Sequence, residues 1–163
     1  IAIGDCLAIA ALNKKKFSKK HYKLLHPHGS IGNQLKTTED LMISKNGIPF
    51  INENSTMKKA LDIITKKKLG VLIVRDGKKN TVGLISDGDL RRSNLKRGNL
   101  KELKVKYVMT KNPLSVDKDT LAAKSLAIMS DNKITSLCVY KNKNKKRTIG
   151  ILHIHHILNA NIQ

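Results

Sequence analysis

Residues 55–74, STMKKALDIITKKKLGVLIV, align without a gap on residues 120–139, TLAAKSLAIMSDNKITSLCV, at an offset of 65. Identical pairs include Leu61 with Leu126, Ile63 with Ile128, Lys68 with Lys133, Leu72 with Leu137 and Val74 with Val139. After a two-residue insertion, Thr81-Val82-Gly83-Leu84-Ile85 aligns on Thr148-Ile149-Gly150-Ile151-Leu152, and upstream Leu41-Met42 matches Val108-Met109. An ordered series of this kind points to duplication. A unit of about 60 residues buries too little apolar surface to be comfortable alone, so two such units are expected to pack on each other.

Each unit carries the same coarse pattern. In the first, Ser55 is a suitable N-cap for a helix whose stripe is Met57, Ala60, Leu61 and Ile64, and Gly70 is its stop. Val71–Val74 and Thr81–Ile85 read as paired strands joined through Arg75-Asp76-Gly77. A helix then starts in Ser86-Asp87-Gly88-Asp89 and runs to Gly98. The second unit repeats this with the stripe Ala122, Ser125, Leu126 and Met129, strands at 136–140 and 148–152, and a closing helix from about Ile154. The fold class is α/β (α+β), each unit helix–strand–strand–helix behind a strandless or short-strand lead.

Residues 1–36 belong to neither unit. Asp5 caps a small-residue helix, Leu7 to Leu12, that ends in the cations Lys14–Lys16. A short helix from Ser18 stops at Leu25-His26-Pro27, because the residue before proline is pushed out of helix. His28 to Gly32 reads as a tight turn. The first residue is Ile, inside an apolar run, so the chain is expected to be the C-terminal part of a longer protein.

The 32 Lys and Arg against 12 Asp and Glu give a net charge of +20, which raises nucleic-acid binding. Three features count against it. Only Arg75, Arg91, Arg92, Arg97 and Arg147 are arginines, aromatics are 3%, and the lysines are scattered in short runs. An anionic small molecule fits the charge equally well. No stretch reaches the roughly 20 apolar residues of a membrane span, and no signal peptide is visible. Cys6 and Cys138 suggest no disulfide scaffold, so both are expected as small core residues in a reducing cytoplasm.

The duplicated unit, with Gly-hydrophobic-hydrophobic-Ser-x-x-Asp running from Gly83 to Asp89, resembles a CBS domain, and two in tandem resemble a CBS pair. GDCLAIAAL (4–12), HPHGSIGNQL (26–35), GLISDGDLRR (83–92) and GILHIHHIL (150–158) together resemble the bacterial arabinose-5-phosphate isomerases. The resemblance spans essentially the whole chain. It implies the last helices of a sugar-isomerase (SIS) α/β sandwich at 1–36, then CBS domains at 37–102 and 103–163. It also implies a parent enzyme interconverting D-ribulose 5-phosphate and D-arabinose 5-phosphate on the way to the lipopolysaccharide sugar Kdo. Such chemistry needs a base that shuttles a proton between C1 and C2, with donors for the oxygens. His26, which by itself reads as a helix-end histidine bonding a carbonyl, matches the histidine of the family's His-Pro-Gly-Gly turn and is the catalytic candidate. His28 stands where the family has the first glycine. This segment alone is expected to be inactive, with no cofactor, and to self-associate.

The ligand-binding candidates are Gly83, Ser86, Asp87, Asp89, Arg91, Arg92, His153 and His156. Ser86 and Asp89 flank a helix N-terminus, where backbone N–H groups take an anion and a carboxylate takes ribose hydroxyls. Arg91 and Arg92 are one turn on, within reach of a phosphate. From the residues alone, plain capping by Ser86, Asp87 and Asp89 is the stronger reading, and the two roles are compatible. The second repeat has His153 for Ser86 and His156 for Asp89, which removes the ribose acceptor. The expectation is therefore one usable cleft for an adenine nucleotide or CMP-Kdo and one degenerate site. His153-x-His155-His156 lacks further ligands at metal spacing, so no metal site is assigned. Two rivals remain, a stand-alone non-catalytic CBS module and a nucleic-acid-binding protein.

Overall fold

The repeats exchange their leading segments in the computed structural model, which describes residues 1–18, 21, 25, 30–96, 100–142, 144 and 146–162. The first unit contains β1 (Ile43–Ser44), β2 (Phe50–Asn52), the helix Met57–Lys67, β3 (Val71–Arg75), β4 (Thr81–Ser86) and the helix Asp87–Lys96. The second contains β5 (Thr110–Lys111), β6 (Ser115–Asp117), the helix Ala122–Asp131, β7 (Ser136–Tyr140), β8 (Gly150–His153) and the helix Ile154–Asn159. One sheet has the order β2-β3-β4-β5 and the other β1-β8-β7-β6. The short leading strand of each repeat thus closes the edge of the other repeat's sheet, Ile43 opposite Ile151 and Lys111 opposite Gly83.

Three apolar clusters follow from the apolar pattern. Met57, Ala60 and Ile64 bury one helix face against Leu72, Val74 and Ile85, and Val105 and Val108 from the second repeat's lead complete that core. Ala122 and Met129 do the same over Leu137, Val139 and Leu152, with Leu41 and Met42 from the first repeat's lead packed against them. Between the sheets, Ile48, Val71, Ile73, Cys138 and Ile151 form a third cluster. Polar ties accompany the exchange: the Met57 N–H donates to the Leu103 carbonyl (2.8 Å), and the Thr38 N–H to the Thr120 carbonyl (2.7 Å). Thr81 and Thr148, equivalent in the two repeats, meet hydroxyl to hydroxyl at 2.8 Å. Because each core borrows side chains from the other repeat, neither unit is complete alone.

Several local expectations are revised. The N-cap of the first stripe helix is Thr56, one residue past Ser55, and its C-cap is Lys68 in the left-handed region (φ 55°). The helix Ala2–Lys14 is longer than the 7–12 segment and takes Asp5 into its first turn. Ser30–Gln34 is helical, so the turn expected to reach Gly32 does not extend that far. Cys6 is exposed, contrary to the core placement expected from its apolar helix, whereas Cys138 is buried and its thiol is pushed up to about 11 by burial. Among the described residues no helix is long and apolar enough to cross a membrane.

Candidate functional site

The strand-to-helix junctions of both repeats open on one cleft. In the first, β4 ends at Ser86, paired in register with Val71 at the start of β3. Just before Val71, Gly70 takes a positive φ of 62°, a conformation glycine adopts without strain, and its carbonyl accepts from the Asp87 N–H at 3.1 Å. The helix Asp87–Lys96 therefore points its N-terminus into the space between the repeats.

Ser86 and Asp89 cap that helix reciprocally. Asp89 Oδ2 accepts from the Ser86 N–H (2.8 Å) and hydroxyl (2.7 Å), while Ser86 Oγ accepts from the Asp89 N–H (3.3 Å). The other oxygen, Oδ1, accepts from Arg92 (2.6 Å) and from the hydroxyl of Thr110 on β5 (2.9 Å). Asp89 is buried, 6% exposed. Burial works to raise its pKa, but the hydrogen bonds from Ser86, Thr110 and Arg92 outweigh it and hold the carboxyl below its ordinary value. Both oxygens are fully engaged by the protein's own donors, so capping and anchoring account for the residue before any ligand arrives.

The second junction differs in chemistry. His153 caps the helix Ile154–Asn159 with an imidazole, Nδ1 accepting from the His155 N–H at 3.3 Å. Burial, and then the neighbouring His155 and His156, lower its pKa below the usual histidine value. The His153 ring stacks on His155 with centroids 5.0 Å apart and meets His156 edge-on at 6.2 Å. His156 Nδ1 is buried without a hydrogen-bond partner among the described residues. Where the first repeat places a four-times-satisfied carboxylate, the second has an unsatisfied imidazole nitrogen.

A cavity of about 520 Å³ lies between the junctions. It brings together Ser86, Asp87, Asp89, Arg91, Arg92 and His153. Gly83 and His156 do not line it. Gly83 instead permits close strand packing: a Cβ there would sit 2.5 Å from Met109 Sδ and 3.0 Å from the Thr110 carbonyl. Gly150 has the matching role against Met42 Sδ. His26, with His28, lies outside the described residues.

Five polar cavity residues were not anticipated from the sequence: Thr110, Asn112, Lys133, Thr135 and Ser136. The repeat alignment holds a signal for two of them. Lys133 aligns on Lys68, and both take left-handed backbone. Ser136 aligns on Val71, so a hydroxyl replaces a methyl at one position of a buried strand. Apolar walls come from Leu69, Val71, Leu84, Leu114 and Ile134, and the cations Arg91, Arg92 and Lys133 exceed the acids Asp87 and Asp89. A cleft with apolar walls, many polar side chains and net positive charge suits a planar ligand carrying an anionic group. Among the described residues no group of three or more His, Cys, Asp or Glu side chains is placed to hold a metal ion.

Comparison with known proteins agrees with this architecture. The family model described as "CBS domain" matches residues 39–96 and 105–162. The chain is 35% identical over 163 residues to arabinose 5-phosphate isomerase KdsD of Pseudomonas aeruginosa, covering 99% of this chain and 49% of that protein. It is 33% identical, with the same coverage, to the Salmonella typhi enzyme, and 31% identical to the uncharacterized protein RP505 of Rickettsia prowazekii. The chain spans about half the length of these curated relatives. Among solved structures it resembles the CBS-domain protein ATU1752 of Agrobacterium tumefaciens, with TM-score 0.70, 20% identity, and coverage of 79% of this chain and 96% of that one. CBSX2 in complex with AMP gives TM-score 0.65 at 24% identity, covering 77% and 95%. The CBS pair of MJ0100, in complex with 5′-methylthioadenosine and S-adenosylmethionine, gives 0.67 at 19%, covering 77% and 94%.

Proposed function

This chain belongs to the CBS domain family as a tandem pair, and from that footing we propose that it is the regulatory half of a sugar-phosphate isomerase. The parent would interconvert D-ribulose 5-phosphate and D-arabinose 5-phosphate. Residues 1–36 would close its SIS domain, and 37–102 and 103–163 would form the pair. The observation that carries the reading is that similarity to arabinose 5-phosphate isomerases extends over 99% of the chain, through the residues ahead of the CBS match.

A second observation supports it. The helix Ala2–Lys14 has no buried residue, and Ile1, Ile3, Leu7, Ile9 and Leu12 are exposed beside it or along it. A helix apolar on every side belongs in a core, and the upstream domain would supply that core. His26 would contribute to proton transfer at the sugar carbonyl end, as the family resemblance implies. The segment alone would be inactive, and the parent would act in the cytoplasm as a homo-oligomer.

The pair's own task would be to bind an adenine nucleotide-type effector in the cleft, with CMP-Kdo as the other nucleotide to test. AMP is the natural first probe, since CBSX2 was solved with it. To accept ribose hydroxyls, Asp89 must give up one of its present donors. Arg92, whose side chain is 65% exposed, is the one that can swing away and turn to a phosphate. An effector binding only one arrangement of the cleft then biases how the pair sits against the catalytic domain. The test is to express the reading frame containing this chain and assay the isomerisation with and without AMP. Turnover of arabinose 5-phosphate that responds to AMP is expected; absence of turnover would contradict the enzyme reading, and turnover indifferent to nucleotides would contradict the regulatory one.

A further inference from the structure

Both hairpins turn at the end of the pair away from the cleft. β3 leaves the cleft at Val71 and reaches Arg75, and β4 returns from Thr81 to Ser86; β7 and β8 run likewise in the second repeat. At that far end the repeats touch. The Thr81 N–H donates to the Lys146 carbonyl (2.7 Å), the Thr148 N–H to Thr81 Oγ1 (3.2 Å), and Arg75 Nη2 to the Thr148 carbonyl (3.1 Å). The Arg75 guanidinium also lies over the Phe50 ring, Cζ 3.1 Å from its centroid. The head is held on two sides, yet its Nε–H is buried without a partner among the described residues. Arg147, next to Thr148, brings a second guanidinium. Burial, and then the charge of Arg147, lower the Arg75 pKa from its ordinary value. Neither arginine forms an ion pair among the described residues. The adjacent acid, Asp76, is spent on its own turn, Oδ1 accepting from the Lys78 and Asn80 N–H groups and Oδ2 from the Asn80 amide. Glu53 is joined to Arg75 through the backbone, its N–H donating to the Arg75 carbonyl (2.9 Å).

Only five of the 32 basic residues are arginines, and four of those five fall into two pairs. Arg91 and Arg92 stand at the cleft, while Arg75 and Arg147 meet at the far end and do not line the cavity. A planar guanidinium fork matches an oxyanion in a way an ammonium does not. We propose that Arg75 and Arg147 form a second anion site, separate from the cleft, whose ligand is a phosphate group, free or carried on a small molecule. A lone carboxylate is used up by one fork, whereas a phosphate has oxygens enough to bridge two. Arg147, which is exposed, makes the first contact. Arg75 then leans off the Phe50 ring, so that its orphaned Nε–H gains the acceptor it lacks. Lys78, Lys79, Lys141 and Lys146, exposed in the two loops, add a positive field that concentrates anions there. Since Arg75 belongs to the first repeat and Arg147 to the second, a shared anion ties the repeats together at the end remote from the nucleotide cleft.

The test is a proton–nitrogen NMR titration of the full chain that follows the arginine Nε–H signals, one for each of the five arginines. Inorganic phosphate and D-arabinose 5-phosphate are added in separate series up to about 20 mM, with chloride holding the ionic strength constant. Arg75→Lys and Arg147→Gln each remove one signal and so assign the pair. The Arg75 and Arg147 signals are expected to move together along one saturating curve, half complete at about 5 mM or below. Arg147→Gln, at an exposed position, should leave the melting temperature unchanged and weaken the Arg75 response by about fivefold or more. Arg75→Lys should abolish saturation at Arg147 although it keeps the charge, because the fork is gone. The tighter of the two probes shows whether the site takes the free anion or its ester, and equal strength shows that it reads the phosphate group alone; each of these supports the site. Movement confined to Arg91 and Arg92, no movement at all, an unsaturating drift of all five signals, or an undiminished Arg75 response in folded Arg147→Gln would overturn the proposal.

Discussion

Ser86 and Asp89 in one repeat, and His153 and His156 in the other, occupy equivalent ends of equivalent strand-to-helix turns, yet they solve the local problem differently. The first turn is closed by a carboxylate that satisfies four donors, one of them, Thr110, lent by the opposite repeat. The second is closed by an imidazole that accepts a single N–H, with a second imidazole nitrogen unpaired among the described residues. Duplication preserved the backbone frame, because both frames rest on apolar stripes and on the close packing of Gly83 and Gly150. It did not preserve the polar chemistry on that frame. A shared fold thus presents two unlike ends to one cleft.

Substitutions can break this contrast, beginning with the largest effect. Asp89→Ala removes the capping box and strands Thr110, so it should destabilise the chain by about 2–4 kcal/mol in urea unfolding. A loss under about 0.5 kcal/mol would mean the carboxylate is not the anchor its contacts imply. Gly83→Ala and Gly150→Ala should each cost about 1–3 kcal/mol by overpacking, and by similar amounts. A large inequality between them would show that the asymmetry reaches into the frame. His153→Ala should cost only about 0.5–1 kcal/mol, the worth of one weak cap. His156→Leu should be neutral or stabilising by up to about 1 kcal/mol, since it removes an unpaired buried nitrogen.

Acid titration separates the two ends. Asp89 has a folded pKa below its unfolded value, so its contribution is present above about pH 4 and is lost as pH falls through the folded pKa. His153 is also lowered in the folded state. Its neutral cap contributes above about pH 6.5 and is lost as pH falls through its own depressed pKa. Unfolding curves of His153→Ala and wild type should begin to converge as pH falls below about 6.5, whereas those of Asp89→Asn and wild type should converge only below about pH 4. Convergence of both pairs in the same window would erase the distinction.

Much of this was legible in the sequence. The duplication, the two stripes and the strands β3, β4, β7 and β8 follow from periodicity and β-branched runs. The leading strands were not, because strands of two or three residues carry almost no alternation and their exchange is decided by tertiary pairing. The same exchange hid Thr110, which reaches Asp89 from 21 residues away. Ser86 and Asp89 could be read as a pair because the capping spacing is local. Ser136 was marked only by the repeat alignment, where it replaces Val71, since nothing nearby in sequence shows that a strand serine lacks a partner among the described residues. Gly83 is the converse: a motif position whose structural role is contact with Met109.

The central claim is that the unlike junctions make one nucleotide site per chain, anchored by Asp89. It is tested most directly by calorimetric titration of AMP into the wild type and into Asp89→Asn, with folding of each checked by circular dichroism. One site per chain, weakened about tenfold or more by the substitution, is the predicted result. No heat of binding, two equivalent sites, or an affinity untouched in folded Asp89→Asn would contradict it.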